Sequence, residues 1–378
     1  MAPPRTSLRE LAGLFLKLGT IGFGGPAAHI AMMRDEVVRR RRWESDDEFL
    51  DIVGATNIIP GPASTELAIH LGARRAGWRG LVVAGVCFIV PAFVIVLALA
   101  WLYERYGTDP AAVDLRYGIL PVIIAVIGQA LWGLGRTAVK SMLLGVLAFA
   151  VAALYLAGAN ELVLLLGAAV IATLWANRHR LGGQAAVLLP IVALPLLGGA
   201  RVAADPDLGR VFLVFLKIGA ILYGSGYVLV AFLERDVVDT YHWITTEQLL
   251  DAVAVGQITP GPVFTTATFV GYQIDGFAGA LVATVAIFLP SFVFVALLAR
   301  IVPWVRRSPW AGAALDGVNV ASLGLMAGVT VLLFDDAFPD VLAVAIGAAA
   351  LAVLLRWRIN AAWLVGAGAL VGLARLIA

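Results

Sequence analysis

Long apolar runs separated by short polar stretches follow one another along the whole chain. Runs of about 17–25 apolar residues with few charges are typical of helices that span a membrane. Twelve runs form two parallel series, at 10–32, 48–72, 79–103, 116–134, 140–157 and 161–176 and at 210–232, 248–272, 278–301, 311–333, 339–355 and 360–377. A thirteenth run at 184–199 lies between the series and has no counterpart. The pattern predicts an all-α polytopic membrane protein.

The composition of the chain supports this prediction and excludes several functions. Of 378 residues, 61% are hydrophobic and 14% are charged, whereas a soluble domain has about 25% charged residues. The mean hydropathy is +0.93. The one cysteine, Cys87, excludes an intrachain disulfide and a cysteine-based metal site. The sequence contains no basic tail or nucleic-acid motif, so we expect no nucleic-acid partner.

The two series of runs belong to a tandem repeat, because residues 17–75 align with 217–275 without a gap. The matched positions include Lys17 with Lys217, Trp43 with Trp243, and Pro60-Gly61-Pro62 with Pro260-Gly261-Pro262. We therefore predict a first repeat at 1–180, a linker with an extra transmembrane segment at 181–205, and a second repeat at 206–378.

The number of crossings determines how the two repeats are oriented. Six crossings and one linker crossing make an odd number, which inverts the second repeat, as in many secondary transporters. We therefore predict inverted topology with about 12–13 transmembrane segments. If the short run 184–199 lay at the membrane surface instead, the repeats would be parallel. The arginine-rich loop 34–42 fits an N-terminus inside the cell poorly, unless it forms an interfacial helix or the first run re-enters without crossing.

The two Pro-Gly-Pro motifs predict helices that break inside the membrane. Irregular backbone at that depth survives only within protein or beside a wet cavity. The N–H groups that follow each motif would lie at the positive end of a new helix, where anions bind. These residues are Ala63, Ser64 and Thr65 in repeat 1 and Val263, Phe264 and Thr265 in repeat 2. The alternative is a purely structural kink.

Glycine-rich segments and two lysines form further matched pairs. The segments at 22–27 and 224–227 permit a turn or a close backbone approach, or serve only helix packing. Lys17 and Lys217 would bring paired positive charges to a central site, unless they extend to the membrane surface. The candidate substrate-binding residues are Lys17, Gly22, Phe23, Gly24, Gly25, Asn57, Pro60, Gly61, Pro62, Ser64 and Thr65 in repeat 1 and Lys217, Tyr223, Gly224, Ser225, Gln257, Pro260, Gly261, Pro262, Thr265 and Thr266 in repeat 2.

These groups together suit a small dianion with several oxygen atoms, because amides and hydroxyls donate without adding charge. No arginine fork is expected inside the membrane, so bidentate phosphate recognition is less favoured. Glu66 stands where repeat 2 has Thr266. It could pair with Lys17, carry a coupling proton, or lie near the membrane surface.

The doubled segments FLKLGTIGFGGP and FLKIGAILYGSG, with the doubled Pro-Gly-Pro motifs, resemble the chromate ion transporter family in its long, fused two-domain form. The resemblance covers nearly the whole chain. It implies a bacterial inner-membrane protein with oppositely oriented halves that exports chromate, with sulfate as a similar competitor. Ser225 and Gly226 depart from Gly25 and Pro26, so the two half-sites are unequal.

We therefore expect a secondary transporter that exports chromate by alternating access and confers chromate resistance. The alternative is a transporter or channel for sulfate or another small inorganic anion. An enzyme is not expected, because the chain has no HExxH motif, no GxSG motif with a partner histidine and no cysteine ligand set. We expect no cofactor and no bound metal. The expected partners are the anion, the lipid bilayer and a second copy in a homodimer.

Overall fold

The protein is helical throughout the residues that the structure describes. The computed structural model describes residues 6–23, 25–56, 58–107, 109–179, 206–223, 228–357 and 359–377. Repeat 1 contains α1 (Leu8–Ile21), α2 (Gly25–Arg34), α3 (Asp46–Thr56), α4 (Ala63–Tyr106), α5 (Pro110–Ala138), α6 (Met142–Leu156) and α7 (Glu161–Ala176). Repeat 2 contains α8 (Leu208–Ile221), α9 (Val228–Leu233), α10 (Thr246–Ile258), α11 (Thr266–Arg307), α12 (Pro309–Leu332), the short α13 (Phe334–Ala337), α14 (Val341–Arg356) and α15 (Ala361–Ile377). The prediction of an all-α tandem repeat is confirmed; the predicted linker 181–205, with run 184–199, lies outside the described residues.

Polar caps start the corresponding helices of the two repeats. The Ser7 hydroxyl accepts from the N–H of Glu10 at the start of α1, and the Asp207 carboxylate accepts from the N–H of Arg210 at the start of α8. Thr245 and Gln248 form a reciprocal capping box at the start of α10. Short π-helices, Asp35–Arg40 and Glu234–Thr240, extend α2 and α9. Such π-turns accommodate an extra residue within a helix and often lie at functional sites.

Helices α1 and α2 form a hairpin that returns to the side where it began. Lys17 Nζ lies 2.7 Å from Glu36 Oε1, and Arg41 Nη1 lies 3.5 Å from Glu10 Oε1. Residues late in the π-helix region therefore lie beside residues early in α1, so the two arms are antiparallel. The run 10–32 therefore folds as a hairpin with both ends on the same side, the geometry of the re-entrant alternative for the arginine-rich loop.

Helix α3 and the first limb of α4 form a second re-entrant hairpin. Near the surface, Arg74 Nη2 lies 3.7 Å from Glu48 Oε1, so the end of this limb meets the start of α3. The chain then reverses at Ala76 and Gly77, where the φ angle of Gly77 is +62°. Gly72 packs against Gly80, and only glycines allow this close backbone contact. The second limb of α4 is a full-length span.

These hairpins change the count of transmembrane segments. Within the described ranges, four helices are long and apolar enough to span a membrane, and four more are apolar but shorter. The predicted number of about 12–13 counted the two re-entrant runs of each repeat as crossings. The argument that an odd number of crossings inverts repeat 2 still applies, because each repeat loses two crossings, which is an even number. The five arginines between positions 34 and 42 then lie on the same side as the start of α1, as the positive-inside rule favours.

The long helices α4 and α11 show that the repeats are inverted. Near the middle of the second limb of α4, Gly85 packs against the ring of Phe292, while Glu104 at the end accepts a 2.8 Å hydrogen bond from Tyr272. Helix α11 also reverses, at Asp275 and Gly276, and Gly271 before the reversal packs against Gly279 after it, so Tyr272 lies beside the start of the second limb of α11. The end of the second limb of α4 therefore meets the start of the second limb of α11, and these two limbs are antiparallel. Two spanning helices that are related by a twofold axis and run antiparallel require that axis to lie in the membrane plane. This is the predicted inverted arrangement.

The helices pack in two layers, and both repeats contribute to each layer. Helices α1–α4 and α8–α11 pack together in what we call the broken-helix layer. Helices α5–α7, α12, α14 and α15 form the continuous-helix layer, in which α6 and α7 pack on α12 while α14 and α15 pack on α5. Gly118 meets Gly368 and Gly317 meets Ala168 at these contacts. The repeats are therefore interlocked, and the natural division of the molecule runs between layers instead of between repeats.

Candidate anion site at the crossed helix breaks

The breaks of the two repeats meet at the centre of the molecule and bond to each other reciprocally. The N–H of Gly61 donates to the carbonyl of Leu222, and the N–H of Gly261 donates to the carbonyl of Gly22, both at 2.8 Å. Each Pro-Gly-Pro motif thus pairs with the first break of the other repeat. Because both bonds cross between repeats, the two half-sites at the centre each contain residues from both halves of the chain.

Glycine is required at the middle of each motif. The φ angle is +133° at Gly61 and +99° at Gly261, a region that side-chain-bearing residues rarely adopt. A methyl group at Gly61 would meet the Glu66 carboxyl and the Ser291 hydroxyl, and one at Gly261 would lie 2.8 Å from the Ala92 Cβ atom. The flanking prolines end each incoming helix, and Pro62 and Pro262 hold extended backbone immediately before the outgoing helix.

Two N–H groups per motif point out of the outgoing helices without a described partner. Helix α4 begins at Ala63, and no described group accepts from the N–H of Ala63 or Ser64. The Pro62 carbonyl accepts from the N–H groups of Thr65 at 2.8 Å and Glu66 at 3.1 Å. The prediction that Thr65 offers a free N–H is therefore wrong, and the same holds for Thr265, which donates to Pro262 at 3.0 Å. The helix-end charge nevertheless favours an anion at both positions.

A cavity lies beside each motif, and the two differ in size. The larger, of about 680 Å³, is lined by Gly61, Ala63 and Glu66 from repeat 1 and Tyr223 from repeat 2. The smaller, of about 130 Å³, is lined by Gly261, Val263, Gln257 and Thr259 from repeat 2 and Gly25 from repeat 1. Both cavities lie between the two layers. The candidate site therefore consists of two half-sites, one open and one nearly filled.

The two lysines do not converge on this centre. Lys17 pairs with Glu36 at 2.7 Å, and Lys217 pairs with the equivalent acid, Asp236, at 2.5 Å. Each carboxylate is on the π-helix of the same repeat, and neither lysine lines either of the two cavities described above. The prediction of paired charges at a central site is wrong in this conformation. The strong attraction between a lysine and a nearly buried carboxylate explains the difference.

The hydroxyl groups predicted to bind substrate are mostly used within the breaks. Thr265 Oγ1 donates to the Pro262 carbonyl at 2.7 Å, Thr266 Oγ1 donates to the Val263 carbonyl at 2.8 Å, and Tyr223 donates to the Ile58 carbonyl at 3.1 Å. Ser64 and Thr65 are buried, and Thr65 Oγ1 has no described partner. Phe23 is 41% exposed and lines neither cavity. Gly24, Asn57, Gly224 and Ser225 lie outside the described residues.

Glu66 is fully buried at the wall of the large cavity. Its two carboxyl oxygens have no hydrogen-bond partner among the described residues. The suggested ion pair with Lys17 is not formed, because Lys17 is held by Glu36. The coupling proton and a position near the membrane surface remain predictions for Glu66.

Several cavity-lining residues escaped the sequence analysis. Gln129 lies in the middle of α5 and lines both cavities. Ser322 and Asn319 on α12 line the large one, and the Ser322 hydroxyl is buried without a described partner. The sequence feature that indicates Gln129 is its amide within the apolar run 116–134, because polar residues inside membrane helices are often functional. Within the part of the chain that the structure describes, no three histidine, cysteine or carboxylate side chains are grouped to hold a metal ion.

The comparison with known proteins agrees with this architecture. The family model described as chromate transporter matches residues 9–173 and again residues 209–373. The chain belongs to the chromate transporter family. The two matches correspond to the two interlocked repeats, and the fold is therefore that of a helical membrane transporter with a duplicated chain.

Named relatives resemble this transporter over nearly its full length. It is 34% identical to a probable chromate transport protein of Synechococcus elongatus, over 94% of this chain and 92% of that protein. It is 33% identical to the chromate transport protein of Cupriavidus metallidurans, over 98% and 94%. For the chromate transport protein of Pseudomonas aeruginosa the identity is 32%, over 94% and 89%. No solved structure matches the chain.

Proposed function

We propose that this transporter exports chromate across the bacterial inner membrane and thereby confers chromate resistance. The observation that carries the proposal is the pair of crossed breaks, because at each one the helix that follows the Pro-Gly-Pro motif starts at the wall of a cavity between the layers, at Ala63 or Val263. Chromate is a tetrahedral dianion, and a helix N-terminus is a binding site for such groups. The names of the relatives support chromate as the substrate.

The site would bind a dianion through neutral donors. Helix ends, the Gln129 amide and the Ser322 hydroxyl line the cavities, while Lys140, which also lines the large cavity, is paired with Asp316 at 2.7 Å. Such donors bind an anion firmly enough to enter and weakly enough to leave. An inside-negative potential of about 100 mV favours export of a dianion by about 4.6 kcal/mol, twice the value for one charge.

Alternating access would proceed by movement of one layer against the other. The large cavity is the substrate entrance in this conformation, and the small cavity is the closed one. Because the half-sites are related by the inverted twofold axis, exchanging their sizes would open the opposite side of the membrane. The interlocked repeats disfavour rocking of repeat against repeat, since α6 and α7 would have to separate from α12.

The second candidate is transport of sulfate or another small inorganic anion, by the same carrier or through a channel. Sulfate has the same shape and charge as chromate, and the donors described above do not distinguish the two. A channel would give flux far above carrier turnover, without stimulation by substrate on the opposite side. A homodimer remains a prediction for either mechanism.

Chromate flux into proteoliposomes at a clamped potential tests the proposal. We expect saturable, potential-driven flux, inhibited by sulfate, that is reduced at least tenfold in Gly61→Ala. Gly167→Ala is the matched control, because a methyl group at Gly167 meets nothing within 4 Å. Absence of chromate and sulfate flux in correctly folded wild-type protein would contradict the proposal, and sulfate flux alone would favour the second candidate.

A further inference from the structure

Four polar side chains, Glu66, His70, Arg74 and the buried Glu44, follow one another from the large cavity toward the reversal of α4. Glu66, His70 and Arg74 are spaced four residues apart on α4, so they lie on one face of the helix. Arg74 Nη2 is 2.8 Å from Glu44 Oε2, in the loop before α3. The Nδ1 atom of His70 is buried without a described partner. A line of proton-binding groups thus begins at Glu44 and ends at Glu66.

Repeat 2 has no such line. In the ungapped register of the repeats the counterparts are Ile244 for Glu44, Thr266 for Glu66, Val270 for His70 and Ile274 for Arg74. None of them exchanges a proton near neutral pH. All four differences fall in the repeat whose half-site is open, which indicates a function that only this half-site performs.

Among the described residues, no cation forms an ion pair with the Glu66 carboxyl group. The Tyr223 hydroxyl of the repeat-2 break and the Ser291 hydroxyl of α11 lie nearby. His70 lies one turn along α4, near the Arg74 guanidinium. Lys140 and Asp316 line the same cavity but neutralise each other. An unpaired carboxylate in such a place is unfavourable, and it would repel an oxyanion that approached the N–H groups of Ala63 and Ser64.

We propose that a proton on Glu66 accompanies the oxyanion through this transporter. The proposal rests on the anion transport proposed above. A proton from the solvent reaches the Glu66 carboxylate by way of Glu44 and His70, where one O–H bond forms. Arg74 repels a proton on His70, so that the imidazole passes the proton on without retaining it. The oxyanion then occupies the open half-site, and both leave together, so each dianion carries one net negative charge across and the membrane potential drives export half as strongly as it would drive the uncoupled dianion.

The test is accumulation of chromate in proteoliposomes at zero potential, driven by a pH gradient alone. With one proton per dianion, chromate is expected to concentrate in the alkaline lumen by about tenfold per pH unit. Glu66→Gln imitates the protonated carboxyl permanently, so accumulation is expected to disappear while potential-driven flux stays measurable. His70→Val, which introduces the residue that repeat 2 has at this position, is expected to slow the approach to the plateau without lowering it. Glu48→Gln, an exposed acid near Arg74, is the matched control and retains wild-type accumulation.

The other possible outcomes overturn the proton-coupling proposal, and one of them does so while leaving anion transport itself intact. Accumulation that persists in Glu66→Gln would mean that the anion carries its own proton. Accumulation that follows a sodium gradient would mean that sodium neutralises Glu66. Either result overturns the proposal. Wild-type flux that responds to potential but not to pH overturns it and leaves anion transport intact. If Glu66→Gln fails to fold, a second measurement decides: chromate is added to wild-type protein in detergent, and proton uptake is followed with a pH dye. Uptake of one proton per site supports the proposal, and no uptake overturns it.

Discussion

The two entrances to the central site are built from equivalent helices and yet differ in closure. On the repeat-2 side, α10 packs against α5 and α15 of the continuous-helix layer, and Leu250 is fully buried. On the repeat-1 side, α3 packs mainly on α4 and α11 of its own layer, and the equivalent Leu50 is 58% exposed. The duplicated fold thus displays an open and a closed entrance in one conformation.

A buried ion pair holds the closed entrance. Asp251 on α10 accepts from the Arg116 guanidinium at 3.0 Å and from the Tyr103 hydroxyl at 2.7 Å, and Arg116 also pairs with Glu247 at 2.5 Å. In repeat 2 the position equivalent to Arg116 is Leu315, on α12. The open entrance therefore lacks the cation that fastens α10 to α5. Duplication supplied the same backbone twice, and a few charged residues determine which entrance closes more firmly.

Removal of this ion pair should produce the largest change. Arg116→Leu leaves Asp251 buried without a cation, which costs about 3–5 kcal/mol, so the repeat-2 entrance should open. In a Cys87→Ser background, we expect labelling of Leu250→Cys by a water-soluble maleimide to rise at least tenfold. Leu50→Cys should label rapidly with or without Arg116. Lys140→Leu is the control, because its pair with Asp316 is exposed and worth about 0–1 kcal/mol; unchanged labelling in Arg116→Leu would show that other contacts close the entrance.

The two motif glycines should tolerate alanine unequally. Both substitutions force a rare backbone angle on a residue with a side chain, at about 1–3 kcal/mol. At Gly61 the added methyl group meets the movable end of Glu66, whereas at Gly261 it meets the Ala92 Cβ atom and, at 3.2 Å, the carbonyl of Gly19. Gly261→Ala should therefore lower the melting temperature in detergent more than Gly61→Ala. An equal or reversed order would show that the Glu66 side chain cannot move.

The lysines offer a comparison with a smaller effect. Asp236 pairs with Lys217, whose Nζ atom also lies 3.9 Å from Glu161 Oε1. Glu36 pairs with Lys17 and, in addition, has Arg40 at 3.3 Å and Arg41 at 3.6 Å. Lys217→Ala should destabilise the protein by about 1–3 kcal/mol and Lys17→Ala by less. Neither should alter the KM for chromate more than twofold, since neither lysine lines either of the two cavities described above. A tenfold rise in KM for either variant would return the lysines to the substrate path.

The smallest expected effect concerns Glu234, which stands where repeat 1 has Arg34. Burial, together with the charge of Asp239, raises the pKa of Glu234 to about 7. Between about pH 4.5 and 7 the folded protein holds a proton here that the unfolded chain releases, so the stabilisation present at low pH is lost as the pH rises through 7. Glu234→Gln should flatten the fall in melting temperature between pH 5 and 8. Arg34→Gln, which loses an exposed pair with Asp46, should leave the pH dependence as it is.

The sequence predicted the helical class, the duplication and the positions of the breaks, because proline, glycine and apolar runs act locally. The resemblance of its motifs indicated the family. The sequence did not predict that the first runs re-enter, because a run of 23 apolar residues with a glycine break suits a crossing and a hairpin equally well. The salt bridges from Lys17 to Glu36 and from Arg41 to Glu10 decide for the hairpin.

The partners of the charged residues were likewise beyond sequence reasoning. The sequence allows an ion pair between Lys17 and Glu66, but the actual partner of a long side chain depends on the relative orientation of the packed helices. Gln129 was missed since its run resembles any other apolar helix with one polar residue. Both cases depend on which faces of α1, α4 and α5 contact other helices. Helical periodicity does not predict the contacting face of a segment that is apolar on every side.

The amino-acid sequence alone thus determined the membrane class, the repeat and the two glycines that the breaks require, because these follow from local backbone chemistry and from total hydrophobicity. Only the tertiary structure decided that each motif bonds to the opposite repeat, that the layers exchange helices, and that one entrance is closed. Those features arise from contacts between residues up to about 250 positions apart, such as Gly118 with Gly368. A pattern along the chain carries no record of them, since many packings bury the same apolar surface equally well.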